Sequence, residues 1–127
     1  MKHMIWENCY IYAIRHDTTG RIYIGCTKTD NRVETHFRNL KNGKHTNKAM
    51  QADCNEYGYK FTAYLLEILN RDKDRGTDPH EREAYWIHYY CTDDPNRGYN
   101  SDRWYTRIKI TEFPKIKEVG GMRVKVE

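Results

Sequence analysis

Sixteen residues, Tyr10 to Gly25, restrict the fold more than any other stretch of this chain. Two arms, Tyr10-Ile11-Tyr12-Ala13-Ile14-Arg15-His16 and Arg21-Ile22-Tyr23-Ile24-Gly25, flank Asp17-Thr18-Thr19-Gly20. The arms are rich in β-branched and aromatic side chains, which favour extended backbone, and the connection is made of turn formers ending in glycine. The stretch therefore predicts a β-hairpin. Register then decides its chemistry. A two-residue loop at Thr18-Thr19 or Thr19-Gly20 pairs even positions of the first arm with odd positions of the second, which brings Tyr12 and Tyr23 to one face; a slip of one residue separates them. Two sheet tyrosines are also what β-propensity alone delivers, so the pair needs other polar residues around it before it counts as a site.

Beyond Asn31 the apolar period changes from two to about 3.6. Val33, Phe37 and Leu40 form the buried stripe of a helix, with Gly43 past its end, and Arg32 and His36 lie one turn apart on its flank. Thr46 is placed to cap a second helix, Asn47 to Glu56, closed by Gly58. Tyr59 to Leu69 returns to strand character and reads as a central third strand. Asp78-Pro79 starts a further helix that runs to about Cys91. On it Glu83, Ile87 and Tyr90 share the inward face with Trp86 at its edge, while Glu81 and Arg82 look outward. A carboxylate on an apolar stripe needs a partner, either an arginine or a metal ion. The segment from Ser101 to Glu127 alternates apolar and basic residues around Trp104, Thr106, Ile108 and Ile110 and again around Met122, Val124 and Val126, and reads as two appended strands.

Length and composition set the class. At 127 residues the chain makes one domain with a modest core, and hydrophobic and charged fractions of 38% and 31% leave no apolar run as long as a membrane span or signal-peptide core. A soluble, cytoplasmic protein is expected. Cys9, Cys26, Cys54 and Cys91 contain no C-x-x-C pair, which speaks against a zinc knuckle, and without a secretion signal against a disulfide framework; they are expected to be reduced and buried. Charge is polarised along the chain. Residues 21–48 hold seven Lys/Arg against two acids, and residues 67–94 hold eight acids against four Lys/Arg. A basic half beside tyrosine-rich strands suits a phosphate backbone.

Collected in order, Tyr10-Ile11-Tyr12, Tyr23-Ile24-Gly25, Arg32 with His36, the run from Glu81 to Ile87, and Gly98-Tyr99-Asn100 resemble the GIY-YIG nuclease domain over residues 10–100. Tyr10 departs from the pattern, standing where the family has glycine. The resemblance implies an α/β (α+β) fold: a small three-stranded mixed sheet flanked by about three helices. Residues 1–100 would be the nuclease body and 101–127 a strand-rich C-terminal extension of the same globule. It further implies hydrolysis of phosphodiester bonds, most directly in DNA, with one divalent ion held by Glu83. Mg²⁺ (or Mn²⁺) fits a single carboxylate because it keeps most of its waters. By the same resemblance, Tyr12 would help deprotonate the attacking water. Tyr23 and His36 would orient water and phosphate, Arg32 would stabilise charge building on phosphoryl oxygens, and Asn100 would hold the site together. His45 is open between a phosphate contact and a turn residue. Lys28, Arg38, Lys41, Lys44 and Lys48 would be backbone contacts, which add affinity without sequence information.

A nucleic-acid-binding module of the same fold without cleavage is the alternative reading, weakened by the presence of every expected catalytic residue type. The chain has no insertion large enough for base readout. Specificity is therefore expected to be low, to come from a protein partner or a homodimer, or to rest on a single-stranded or branched substrate.

Overall fold

Strand β1, Asn8–His16, organises the molecule because both of its faces are covered. Its even-numbered residues Tyr12 and Ile14 belong to one apolar cluster and its odd-numbered Ile11 and Ala13 to another, as alternation along a strand requires. The computed structural model describes residues 8–29 and 31–100 in full, together with the backbone of 115–119 and 122–126.

Strand β2, Ile22–Thr27, pairs antiparallel with β1, with Tyr12 opposite Gly25 and Ile14 opposite Tyr23. That is the register expected of a Thr18-Thr19 loop. Strand β3, Phe61–Asn70, pairs antiparallel on the other side, so the order is β2-β1-β3. Two expectations are corrected here. β1 is central, not the third strand: β3 is buried at only Leu66, Glu67 and Leu69, and its Ile68 is 49% exposed. The sheet is antiparallel, not mixed; the parallel element among the described residues is a single bridge from Ile22 to Gly98. A register shift between Ile11 and Tyr12 leaves Leu66 without a partner and kinks β3 beside the site.

Helices α1, Arg32–Lys41, and α2, Lys48–Tyr57, cover the even face through Leu40, Met50 and Cys54. Asn47, not Thr46, caps α2: its side chain accepts from the Met50 N–H, and asparagine is the stronger cap. Gly43 and Gly58 follow the two helices with φ of 73° and 109°, conformations a side chain resists. Helix α3, Pro79–Tyr90, capped by Asp78, covers the odd face through Ala84, Trp86 and Ile87. Trp86 is fully buried, at the centre of this contact and not at its edge; truncating such a residue to alanine typically costs about 3–5 kcal/mol.

Arg82 does not look outward. Its Nε donates to both oxygens of Glu67 at 3.1 Å, its guanidinium lies 4.3 Å from the Tyr85 ring centroid, and Trp86 Nε1 donates to the same carboxylate at 2.8 Å. The buried Glu67 on the sheet turns Arg82 inward, since a charge out of water needs a paired and hydrogen-bonded partner.

Strands β4, Lys115–Val119, and β5, Met122–Val126, form a separate antiparallel pair, and β5 runs alongside β3. The strand expected around Trp104 to Ile110 lies outside the described residues. All four cysteines are thiols; Cys9 and Cys54 are buried, but Cys26 and Cys91 are only half-buried. Among the described residues no helix is long and apolar enough to cross a membrane.

Candidate active site

The site begins where β1 and β2 face each other. Tyr12 is buried and its ring lies directly over Gly25, where a Cβ would collide with the phenol carbon and oxygen. The missing side chain at Gly25 thus makes the space into which Tyr12 turns. Tyr23, two residue pairs along the ladder and on the same face, places its ring centroid 6.3 Å from that of Tyr12. The shared face inferred from the loop is present.

From α1, His36 closes on both rings. Its Nε2 is 2.7 Å from the Tyr12 hydroxyl and its ring centroid 5.2 Å from that of Tyr23. His45, in the turn between α1 and α2, stacks on His36 and brings Nε2 to 2.7 Å from His36 Nδ1. The turn is held from below: Gln51 Oε1 accepts the His45 N–H, and the Asn47 N–H donates to His45 Nδ1 at 3.0 Å. Arg32, exposed at the start of α1, places its charge near the Tyr12 phenol and both histidines.

These surroundings set the protonation states. Burial, then the proximity of Tyr23, holds the Tyr12 hydroxyl far above its ordinary range, against the opposing pull of Arg32. Tyr23 is raised mainly by burial, then by the charge of Glu83. His36 is lowered to about 4 by burial, the Arg32 charge and His45, and His45 is lowered by burial and Arg32. Both imidazoles are neutral at pH 7.

Glu83 approaches from the other side. α3 packs beside β2, and the Glu83 side chain is 18% exposed with Oε1 3.5 Å from Nδ1 of the exposed His80. Its negative charge reaches Tyr12, Tyr23 and Cys26, raising all three. No group of three or more His, Cys, Asp or Glu that could hold a metal ion occurs among the described residues.

Asn100 sits behind the pair. Its Oδ1 accepts the Ile24 N–H at 2.8 Å and its Nδ2 donates to the Ile24 carbonyl at 3.0 Å, satisfying the outer edge of β2 between Tyr23 and Gly25. Neighbouring Tyr99 donates to Asp53 Oδ2 at 2.6 Å, and Arg21 bonds both oxygens of Asp53 at 2.9 Å. Asp53 was missed in the sequence, as were Gln51 and Glu67. A usable signal existed for the first: Asp53 adjoins Cys54 and lies one turn from Met50 on the inward stripe of α2, where a carboxylate needs donors. The basic residues Lys28, Arg38, Lys41, Lys44 and Lys48 are all exposed, along the β2–α1 loop, α1 and the turn into α2.

Residues 8–100 match the model of the GIY-YIG catalytic domain. The chain belongs to the GIY-YIG family. Among curated proteins, this family member is 32% identical over 78 residues to intron-associated endonuclease 1 of Enterobacteria phage T4, a match that spans 61% of the chain but only 31% of that relative. Its fold superposes on the catalytic domain of homing endonuclease I-TevI with a TM-score of 0.62 and 29% identity, covering 75% of this chain and 99% of that one. An alanine variant of the same catalytic domain gives the same TM-score at 28% identity, covering 75% and 94% of the two chains. The three-stranded antiparallel sheet with three helices is thus the fold this GIY-YIG chain shares with the two solved catalytic domains.

Proposed function

We propose that this chain is an endonuclease that hydrolyses phosphodiester bonds in DNA and depends on a divalent cation, Mg²⁺ or Mn²⁺, held by Glu83. The observation that carries the reading is the convergence of Tyr12, Tyr23, Arg32 and His36 on one end of the β1–β2 hairpin, within the electrostatic reach of Glu83. Similarity to an endonuclease of phage T4 supports DNA as the substrate.

The residues divide the work by chemistry. Arg32 presents a planar, permanently charged fork to the phosphoryl oxygens, where negative charge builds. Tyr12, held by His36 with the Arg32 charge nearby, assists deprotonation of the attacking water, while Tyr23 and His36 orient water and phosphate. Glu83, whose charge raises both tyrosines, would hold the dication, which when bound would supply Lewis-acid polarisation of the phosphate. Asn100 fixes the backbone between Tyr23 and Gly25, and the exposed lysines with Arg38 hold the DNA backbone. The segment 101–127 shapes substrate or oligomer choice and not chemistry; specificity is low, is lent by a protein partner or a homodimer, or rests on a single-stranded or branched substrate.

Incubating the chain with duplex, single-stranded and branched DNA, and with RNA, in Mg²⁺, Mn²⁺ or EDTA tests this. Metal-dependent cutting of DNA that EDTA abolishes is expected. DNA binding without cutting in any metal would leave a binding module of the same fold.

A further inference from the structure

Three rings stand in a row: Tyr12 Oη to His36 Nε2 at 2.7 Å, His36 Nδ1 to His45 Nε2 at 2.7 Å, and His45 Nδ1 to the Asn47 N–H at 3.0 Å. Heavy-atom distances alone leave the protons unassigned. The last member of the row removes that freedom, because a peptide N–H can only donate. It is also fixed in place: the Asn47 side chain caps α2 through Met50 and donates to the Tyr99 carbonyl at 2.9 Å.

We infer that the Asn47 N–H sets the proton positions of the whole row, so that His45 and His36 are both Nε2–H tautomers and His36 donates to the Tyr12 oxygen. The steps follow from one proton per neutral ring. His45 Nδ1 accepts from Asn47, so its proton is on Nε2, pointing at His36 Nδ1. His36 Nδ1 therefore accepts, its proton is on Nε2, and Tyr12 receives it. Protonating either ring at its remaining nitrogen would oppose donor to donor, in keeping with the lowered basicity of both.

The Tyr12 oxygen is thus met by the His36 N–H, with the Arg32 charge nearby. Its own proton has no path inward through the histidines and leaves on the substrate side, and the resulting phenolate is stabilised by the His36 N–H and the nearby Arg32 charge. His45 is then a positioning residue: it acts on Tyr12 through His36 and touches neither phosphate nor metal. The tautomer assignment is independent of the nuclease reading; its catalytic consequence rests on that reading.

Long-range ¹H–¹⁵N NMR of the histidine side chains in the full chain at neutral pH tests the assignment directly. Bare Nδ1 and protonated Nε2 on both His36 and His45 are expected, and a protonated Nδ1 on His36 overturns the inference. His45→Phe should release the bias, giving His36 as a tautomer mixture, whereas His45→Gln keeps an amide N–H for His36 Nδ1 and should preserve it. An unchanged His36 tautomer in His45→Phe overturns the role of His45. In cleavage, His45→Phe should lower kcat about 10–100-fold with DNA affinity unchanged, and His45→Gln should recover most of it. A glutamine variant no better than phenylalanine overturns the positioning role. Wild-type protein that cuts nothing refutes the nuclease reading, and the NMR result then decides the tautomers on its own.

Discussion

The ring of Tyr12 occupies the space where Gly25 would carry a side chain, so the glycine of one motif determines where the phenol of the other can stand. Gly25→Ala should push the ring aside without unfolding the sheet. Overpacking of this kind costs about 1–3 kcal/mol, and a shift of ~1 Å at a reacting group can cost about 10²-fold in rate. Melting and cleavage measured on the same preparation separate the two effects; a folded variant that cuts at the wild-type rate would remove the need for this placement of Tyr12.

Glu83→Gln keeps the shape and removes the charge. Cleavage should fall by at least about 10²-fold at every metal concentration, with DNA affinity unchanged or higher through lost repulsion. Tyr12→Phe removes only the hydroxyl and should cost about 10²–10⁴ in rate. Were Glu83 a structural partner only, its variant would melt earlier and the folded fraction would still cut.

Stability should fall as pH is lowered from about 6.5 to about 4. His36, faced by Tyr12, Arg32 and His45, has a folded-state pKa near 4, below its ordinary value, so the unfolded chain takes up the proton first. The contribution is fully present above the ordinary histidine range and is lost as pH falls through this window. Asp53 is held below the usual carboxylate range: burial opposes this, but Tyr99 and Arg21 outweigh it, so its loss lies at more acid pH. Urea midpoints across the window should change less in His36→Gln; an equally steep variant would assign the slope to other groups.

Asn100→Ala leaves the N–H and C=O of the fully buried Ile24 without their side-chain partners. A loss of about 2–4 kcal/mol is expected, with faster hydrogen exchange at the Ile24 amide than elsewhere in β2. Uniform loss of protection across the sheet would argue for global destabilisation instead.

Duplex binding should weaken steeply with salt. Removing Lys41 and Lys44 together should reduce the slope of log affinity against log salt by about 2. An unchanged slope would place the DNA elsewhere than along α1.

Much of this was legible before any coordinates. Strand alternation and an even loop fix the Tyr12–Tyr23 face, and helical spacing puts Arg32 and His36 on the side that meets it, because both patterns are local. The position of Tyr59 to Leu69 in the sheet was not legible, since an apolar run reports burial without saying from which side it comes. Glu67 and Asp53 were hidden for a related reason: each is stable only through donors, Arg82 with Trp86 and Arg21 with Tyr99, that the fold brings from distant parts of the chain. His45 sits in a turn with no periodicity, and only the cap at Asn47 reveals its direction.

The clasp between Asn100 and Ile24 joins residues 76 apart. During synthesis the hairpin therefore leaves the ribosome long before its outer edge can be closed, and contacts so distant in sequence form late. Until then the N–H and C=O of Ile24, between Tyr23 and Gly25, lack their side-chain partner on the outer edge of β2. The last motif made thus closes the strand that carries Tyr23, and that edge waits on translation of residue 100.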